Sequence, residues 1–397
     1  MTEEPQDHRS MADGAPEPVP SDSMQALQPA VPPAALPVDR APDPAVEPSD
    51  REAVDQLSLG RRLRQPRTII SLVLPIFLLA LLVKTLPGFD LAALPGIIGA
   101  ANPLFILAGF AIYYLGFPLR GLRWTILLRG SGHVIRSRDA TEIIFISWLV
   151  NCLVPAKLGD IYRAYLLKIN STVSLSRTFG TVFIERILDL FAIAVLGLGA
   201  GYVSFRTGLP PIVQFLFALG IGVMIVLAAG LLTMRNFGRR IIQRLPLPHR
   251  VLEFYDRFEE GGFGGVAFRQ VPILVILTGL IWSTEAMRLF LVVEALGIPG
   301  VHLGISGSFF VALCGSLLTA VPLTPGGLGI VETGVVGILR LAYGVPASAA
   351  LAITLVDRTI SVLSIIVLGS IAYVLSPLRR GGGLRGDYEV PPAASIP

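Results

Sequence analysis

The sequence predicts an all-α, polytopic membrane protein with about six full spans and two re-entrant helical hairpins arranged as an inverted repeat. Three observations point there. Of 397 residues, 53% are hydrophobic and only 15% charged, and the apolar residues gather into long runs at 69–86, 102–119, 179–203, 212–234, 271–296 and 351–375. Basic residues cluster at alternate ends of those runs. One motif also occurs twice: Pro155, Leu158, Gly159 and Asp160 precede Glu185-Arg186, and Pro325, Leu328 and Gly329 precede Asp357-Arg358. Each acid–Arg pair opens an apolar helix with a Gly twelve residues after the acid (Gly197, Gly369) and a Tyr beyond it (Tyr202, Tyr373).

At 1.5 Å per residue, each run is long enough to cross a hydrocarbon core of about 30 Å. A β-barrel would need strands of alternating polarity, and the sequence has none. Residues 1–60 hold 12 acidic residues, and the first 50 hold eleven prolines. Residues 1–65 therefore read as a disordered, acidic, Pro-rich cytoplasmic tail. The first apolar run follows Arg61, Arg62, Arg64 and Arg67; it starts too late and runs too long for a cleaved signal peptide. The membrane domain spans 66–378, in halves of about 66–206 and 207–378, and 379–397 form a second disordered cytoplasmic tail. The sequence pI of about 9.2 comes from the part after the acidic tail. In a chain this apolar, basicity indicates contact with anionic headgroups and not nucleic acid.

Loop charge orients the spans. Arginines before Thr68 put the N-terminus in the cytoplasm, and the connection 87–101, which has no Lys or Arg, lies outside. Arg120, Arg123, Arg129, Arg136 and Arg138 bring the chain back in. The apolar stretch 143–154 is short and ends at Pro155, with Lys157, Arg163, Lys168 and Arg177 beyond it. A re-entrant hairpin entering from the cytoplasm fits both its length and those charges. The next two spans end at Arg235, Arg239, Arg240 and Arg244, and 235–270 reads as a surface amphipathic helix or a solvated loop helix. The run 271–296 goes out again. The short arms 305–321 and 328–341 flank Pro322, Pro325, Gly326 and Gly327, giving a second hairpin from outside. The last span returns to Arg379, Arg380 and Arg385. Both halves thus follow one plan with opposite starting sides, as in many secondary transporters.

The candidate site follows from charges carried into hydrocarbon. Glu185, about eight residues and 12 Å into its helix, and Asp357 meet near the bilayer centre. Arg186, Asp189 and Arg358 stand beside them, and Asp189 is within pairing reach of Arg186. Each such charge costs about 2.5–3.5 kcal/mol at a helix centre, so the set must face the protein interior or a wet cavity. These charges either carry substrate or staple helices together. Glu285 and Arg288 form another set at i,i+3. The hairpin tips offer unpaired backbone groups and Asn151, Lys157, Asp160, Arg163, Thr324 and Glu332, of which Lys157 and Arg163 suit a phosphate best. Neutralising Glu185 or Asp357 is expected to abolish transport with folding largely intact. Cys152 and Cys314 read as buried small hydrophobes, and four scattered histidines suggest no metal site. Gly326-Gly327-Leu328-Gly329 follows no strand and lacks the Lys-Ser/Thr of a nucleotide loop. No catalytic motif and no cofactor are indicated.

These residues resemble the membrane-domain family typified by the flippase half of bacterial lysylphosphatidylglycerol synthetases. The likeness rests on Arg120, Arg123 and Trp124; on Asn151, Pro155, Gly159, Asp160 and Arg163; on Glu185, Arg186 and Asp189; and on Pro322, Pro325, Gly326, Gly327, Gly329 and Glu332. It covers about residues 66–378. The resemblance implies translocation of an anionic or glycosylated lipid between leaflets of the bacterial inner membrane, with a lipid-modifying enzyme as a partner. About 20 polar residues follow the last span, so the soluble aminoacyl-transferase domain of the full-length synthetases is not expected here. The rival expectation is a membrane enzyme or accessory factor in polyprenyl-phosphate-linked glycosylation.

Overall fold

The computed structural model describes residues 90–384, apart from 91, 156, 207, 209, 320–323, 382 and most of 245–267. The acidic tail, the apolar run 69–86, Pro322, most of the 235–270 connection's second part and the C-terminal tail beyond 384 lie outside the described residues. Among the described residues there is no strand. In chain order the helices are α1 (Ala93–Gly99), α2 (Pro103–Gly130), α3 (Ser137–Leu153), α4 (Leu158–Asn170), α5 (Leu175–Ser204) and α6 (Pro211–Arg244). They continue with α7 (Val271–Leu296), α8 (Gly304–Leu318), α9 (Ile330–Tyr343) and α10 (Ala347–Leu375), the last carrying a π turn at Thr359–Leu363.

Local chemistry sets the ends. Asn102 caps α2 by accepting from the Leu104 amide, with Pro103 at the first helical position. Ser174 caps α5 through the Arg177 amide. Gly297 and Gly344 end α7 and α9 in the left-handed conformation that only glycine adopts without penalty. Pro155 and the Pro325-Gly326-Gly327 turn break the paired helices α3/α4 and α8/α9.

Five helical segments are long and apolar enough to cross a membrane by length and composition: Pro103–Gly130, Pro211–Gly230, Val271–Leu296, Pro325–Tyr343 and Ala347–Leu375. The 30-residue α5 is equally long but carries Arg177, Glu185, Arg186 and Asp189. Two boundaries correct the sequence expectation. The helix at 102–119 continues to Gly130, so Arg120 and Arg123 lie inside it, 4% and 1% exposed, and are not loop charges. The short arm expected at 143–154 starts at Ser137, because a polar first turn of Ser137, Arg138 and Asp139 precedes its apolar part.

Packing centres on α2 lying along α7. The two helix pairs then exchange partners: α3 packs on the last turns of α10, and α8 packs on α5. The glycines singled out in the sequence sit in these two contacts. A Cβ at Gly197 of α5 would lie 3.6 Å from Leu313 Cβ of α8, and one at Gly369 of α10 would lie 3.0 Å from Leu149 Cβ of α3. Helices approach closely at such small residues, which is how packing is gained where lipid offers no hydrophobic drive. The ion-bearing turns of α2, α5, α7 and α10 are thereby directed at one another.

Candidate functional site

Glu185 and Asp357 each stand ten residues after the first residue of their helices, about 15 Å along. This is deeper than expected for Glu185, because α5 begins at Leu175. Around each acid an ion-pair network has formed.

In the first network, Glu185 accepts from both terminal nitrogens of Arg163, at 3.1 and 2.8 Å, and lies 3.0 Å from Arg123 Nη2. Arg123 also donates to Asp189 at 2.6 Å and to Thr278 Oγ1 at 2.9 Å. Trp282 Nε1 donates to Asp189 at 3.1 Å. Arg186 reaches back to Asp160 at 3.2 Å and to Asp189 at 3.5 Å. The Arg163 guanidinium stacks 3.8 Å over the Trp124 ring, a cation–π contact.

The second network has related logic. Asp357 accepts from Arg288 at 2.7 and 3.1 Å. Arg288 also pairs with Glu285, which accepts from Arg120 at 2.7 Å. Arg358 donates to Glu332 at 2.7 Å and to the Gly326 carbonyl in the turn between α8 and α9. In both networks the helix acid pairs with an Arg of α2 or α7, and the Arg after it pairs with a carboxylate early in the second arm of a helix pair.

The Asn151 side chain accepts from the Gly159 amide at 2.8 Å and ties the α3/α4 break together. A Cβ at Gly159 would sit 2.0 Å from the Ser147 carbonyl, so this crossing admits only glycine without displacement. Lys157, at the same break, is the one non-glycine residue with positive φ among the described residues. A left-handed lysine is uncommon and points to a constrained position.

Both networks border one cavity of about 400 Å³. Of the residues singled out in the sequence, Asn151, Lys157, Asp160, Glu185, Arg186, Asp189, Glu285, Arg288, Gly326, Gly327, Asp357 and Arg358 line it. Arg123, Arg163, Pro325 and Glu332 do not; they stand behind the lining and hold it. Arg163, favoured from sequence for phosphate, is 1% exposed and paired with Glu185. Sequence reading missed Arg120, Tyr113, Trp148 and Trp282 in the lining. From sequence Arg120 reads as a loop charge, and its spacing of three from Arg123 is the signal that places both on one helix face. Three lining atoms are buried without a hydrogen-bond partner among the described residues, Arg120 Nη1, Thr324 Oγ1 and Arg186 Nε, and of these Arg186 Nε lies 3.2 Å from an Asp160 carboxylate oxygen. Lys157 has no carboxylate within 4.0 Å among them, whereas each lining arginine has at least one. Among the described residues no group of His, Cys, Asp and Glu side chains could hold a metal ion.

Comparison with known proteins gives these residues a context. The family described as the lysylphosphatidylglycerol synthase TM region matches residues 68–369. A UPF0104 membrane protein of Methanocaldococcus jannaschii is 37% identical over 227 residues, covering 57% of this chain and 93% of that one. Glycosyltransferase AglD of Haloferax volcanii is 28% identical over 359 residues, covering 81% of this chain and 56% of the glycosyltransferase. A UPF0104 membrane protein of Methanothermobacter thermautotrophicus is 28% identical, covering 68% of this chain and 83% of that one.

Proposed function

The chain belongs to the lysylphosphatidylglycerol synthase TM-region family, and from that footing we propose that this multi-pass membrane protein moves an anionic or glycosylated lipid between the leaflets of the cell inner membrane. The observation that carries the proposal is the shared cavity, bordered by the ion-pair networks of α2, α5, α7 and α10. The charges pair with one another as helix staples would, but those in the lining also surround a space large enough for a headgroup.

The two halves act as inverted repeats, with both termini in the cytoplasm. Supporting this are the exchange of α3 and α8 between α10 and α5, the paired glycines Gly197 and Gly369, and the equal depth of Glu185 and Asp357. Sites in such proteins lie at the repeat interface near the midplane.

Charge balance selects the ligand's sign. Arg120, Arg123, Lys157, Arg163, Arg186, Arg288 and Arg358 face six carboxylates, Asp160, Glu185, Asp189, Glu285, Glu332 and Asp357. The surplus cation is Lys157, which has no ion pair among the described residues. An anionic group entering the cavity would neutralise it and take the free donors of Arg120 and Thr324. In this reading the arginines hold the headgroup, the acids keep them mobile enough to release it, and the acyl chains remain in lipid.

The test is headgroup-labelled lipid redistribution in proteoliposomes, comparing anionic, glycosylated and zwitterionic lipids. Faster redistribution of an anionic or glycosylated lipid, reduced by Lys157→Gln, is expected; equal rates for the zwitterionic lipid would contradict the charge argument. A second reading, an accessory role in polyprenyl-phosphate-linked glycosylation with an enzyme partner, is favoured by the similarity to glycosyltransferase AglD. It predicts sugar transfer from a polyprenyl phosphate that depends on this chain even where redistribution is absent.

A further inference from the structure

Beside the central cavity, α2 and α3 enclose a second space, an open groove of about 700 Å³. Its apolar wall is Tyr114, Phe117, Leu119, Leu122 and Phe145, and its polar end is the first turn and a half of α3, with Arg138 and Glu142. Glu142 is engaged by the Ser376 hydroxyl. Arg138 is exposed and has no carboxylate within 4.0 Å among the described residues. An apolar trough with a free cation at one end matches one molecular shape in a bilayer: an acyl chain joined to an anionic headgroup.

The wall between groove and cavity is thin. Phe117 lines the groove, packs edge-on against Phe145 at 4.9 Å and meets Trp148 at 5.7 Å between ring centres. Trp148 and Arg120 line the central cavity, and the Arg120 guanidinium lies 5.5 Å from the Phe117 ring and 4.7 Å from Trp148. Phe117 is thus the partition between the two spaces. Pro118, beside it inside α2, removes one backbone donor and loosens the helix at that level.

We propose that the α2/α3 groove is the port through which an anionic phospholipid reaches the central cavity, with its phosphate at Arg138, one acyl chain along Leu119 and Leu122, and Phe117 as the partition that must swing aside. This rests on the translocation reading for the destination but not for the binding. Lipid association at the groove is a separate measurable property. Headgroup passage past Phe117 would exchange the Arg138 contact for Arg120, whose Nη1 is unpartnered on the cavity side.

The experiment uses the full chain in phosphatidylcholine vesicles containing phosphatidylglycerol with a diazirine near the end of one acyl chain. After photolysis, adducts are mapped by mass spectrometry. Adducts at Leu119, Leu122 or Phe145 are expected, and filling the groove with Leu122→Trp should lower the Phe145 adduct several-fold. Adducts at Val226, an exposed apolar residue elsewhere, should not change. Arg138→Gln should remove the preference for this probe over a phosphatidylcholine probe. Adducts at Phe145 that ignore Leu122→Trp, or no preference in the wild type, would overturn the port. So would efficient cross-linking of the groove to the chain's own 69–86 run, which would make that segment the occupant. In redistribution assays Phe117→Ala, with Phe117→Leu as the milder variant, should raise the initial rate. Groove adducts that follow the expected pattern without redistribution of any lipid would sink the translocation reading and leave the binding site standing.

Discussion

Replacing Glu185 with Gln should destabilise the protein through one particular partner, Arg163. Glu185 is 2% exposed and touches three arginines. Arg123 keeps Asp189 when the charge is removed, and Arg186 keeps Asp160 and Asp189. Arg163 has no second carboxylate among the described residues; it is 1% exposed and retains only the Trp124 face. Leaving one member of a buried pair uncompensated costs about 3–5 kcal/mol. At roughly 2–4 °C per kcal/mol for a domain somewhat smaller than this one, the apparent Tm should fall by about 6–20 °C. The assay is thermal unfolding of purified protein in detergent, read by intrinsic fluorescence at one scan rate, since membrane proteins often unfold irreversibly. The double variant Glu185→Gln/Arg163→Met removes the orphaned charge and should recover most of the loss. A Glu185→Gln protein within about 2 °C of wild type, with no recovery in the double variant, would refute the claim that this pair is buried and isolated.

Further outcomes follow from the same contacts. Asp357→Asn should lower Tm less than Glu185→Gln, because Arg288 still has Glu285, while redistribution activity is lost. Gly159→Val should fail to fold or lose about 3 kcal/mol or more, read as yield and Tm, because its side chain would meet the Ser147 carbonyl and Asn151. Burial, with Arg177 nearby, lowers the pKa of His133 in the α2–α3 connection below 6.5. The unfolded chain then binds the proton first, so this residue's contribution to stability is complete above pH 6.5 and falls as pH drops towards the folded-state value. Tm measured against pH should show that slope, and His133→Asn should flatten it.

Much of this was legible in the sequence because membranes impose length. Runs of apolar residues had to become helices, since only there are backbone groups satisfied in lipid. The Glu185-Arg186 and Asp357-Arg358 echo marked the turns that face the cavity, because lipid-facing charges are too costly to keep. Distance information was missing. Arg120 and Arg123 look like loop charges until α2 is seen to continue to Gly130, where Glu285 and Asp189 await them. Arg163 stands out in the sequence as a phosphate-type cation, but its pairing with Glu185 of the following helix α5 shows only in the structure. Neutralising the two acids looked equivalent from the repeat, yet Arg288 has a spare carboxylate and Arg163 has none, so only Asp357 offers a substitution expected to spare the fold. The groove beneath Phe117 and Phe145 was invisible because it depends on how α3 leans on α2.

The most direct test of the central claim is redistribution of headgroup-labelled anionic and glycosylated lipids in sealed proteoliposomes containing wild type or Asp357→Asn. Both proteins would first be shown to have comparable thermal unfolding. Rapid redistribution by wild type that Asp357→Asn abolishes is the result the account predicts. Equal redistribution by both proteins, or none by folded wild type with any of these lipids, would contradict it.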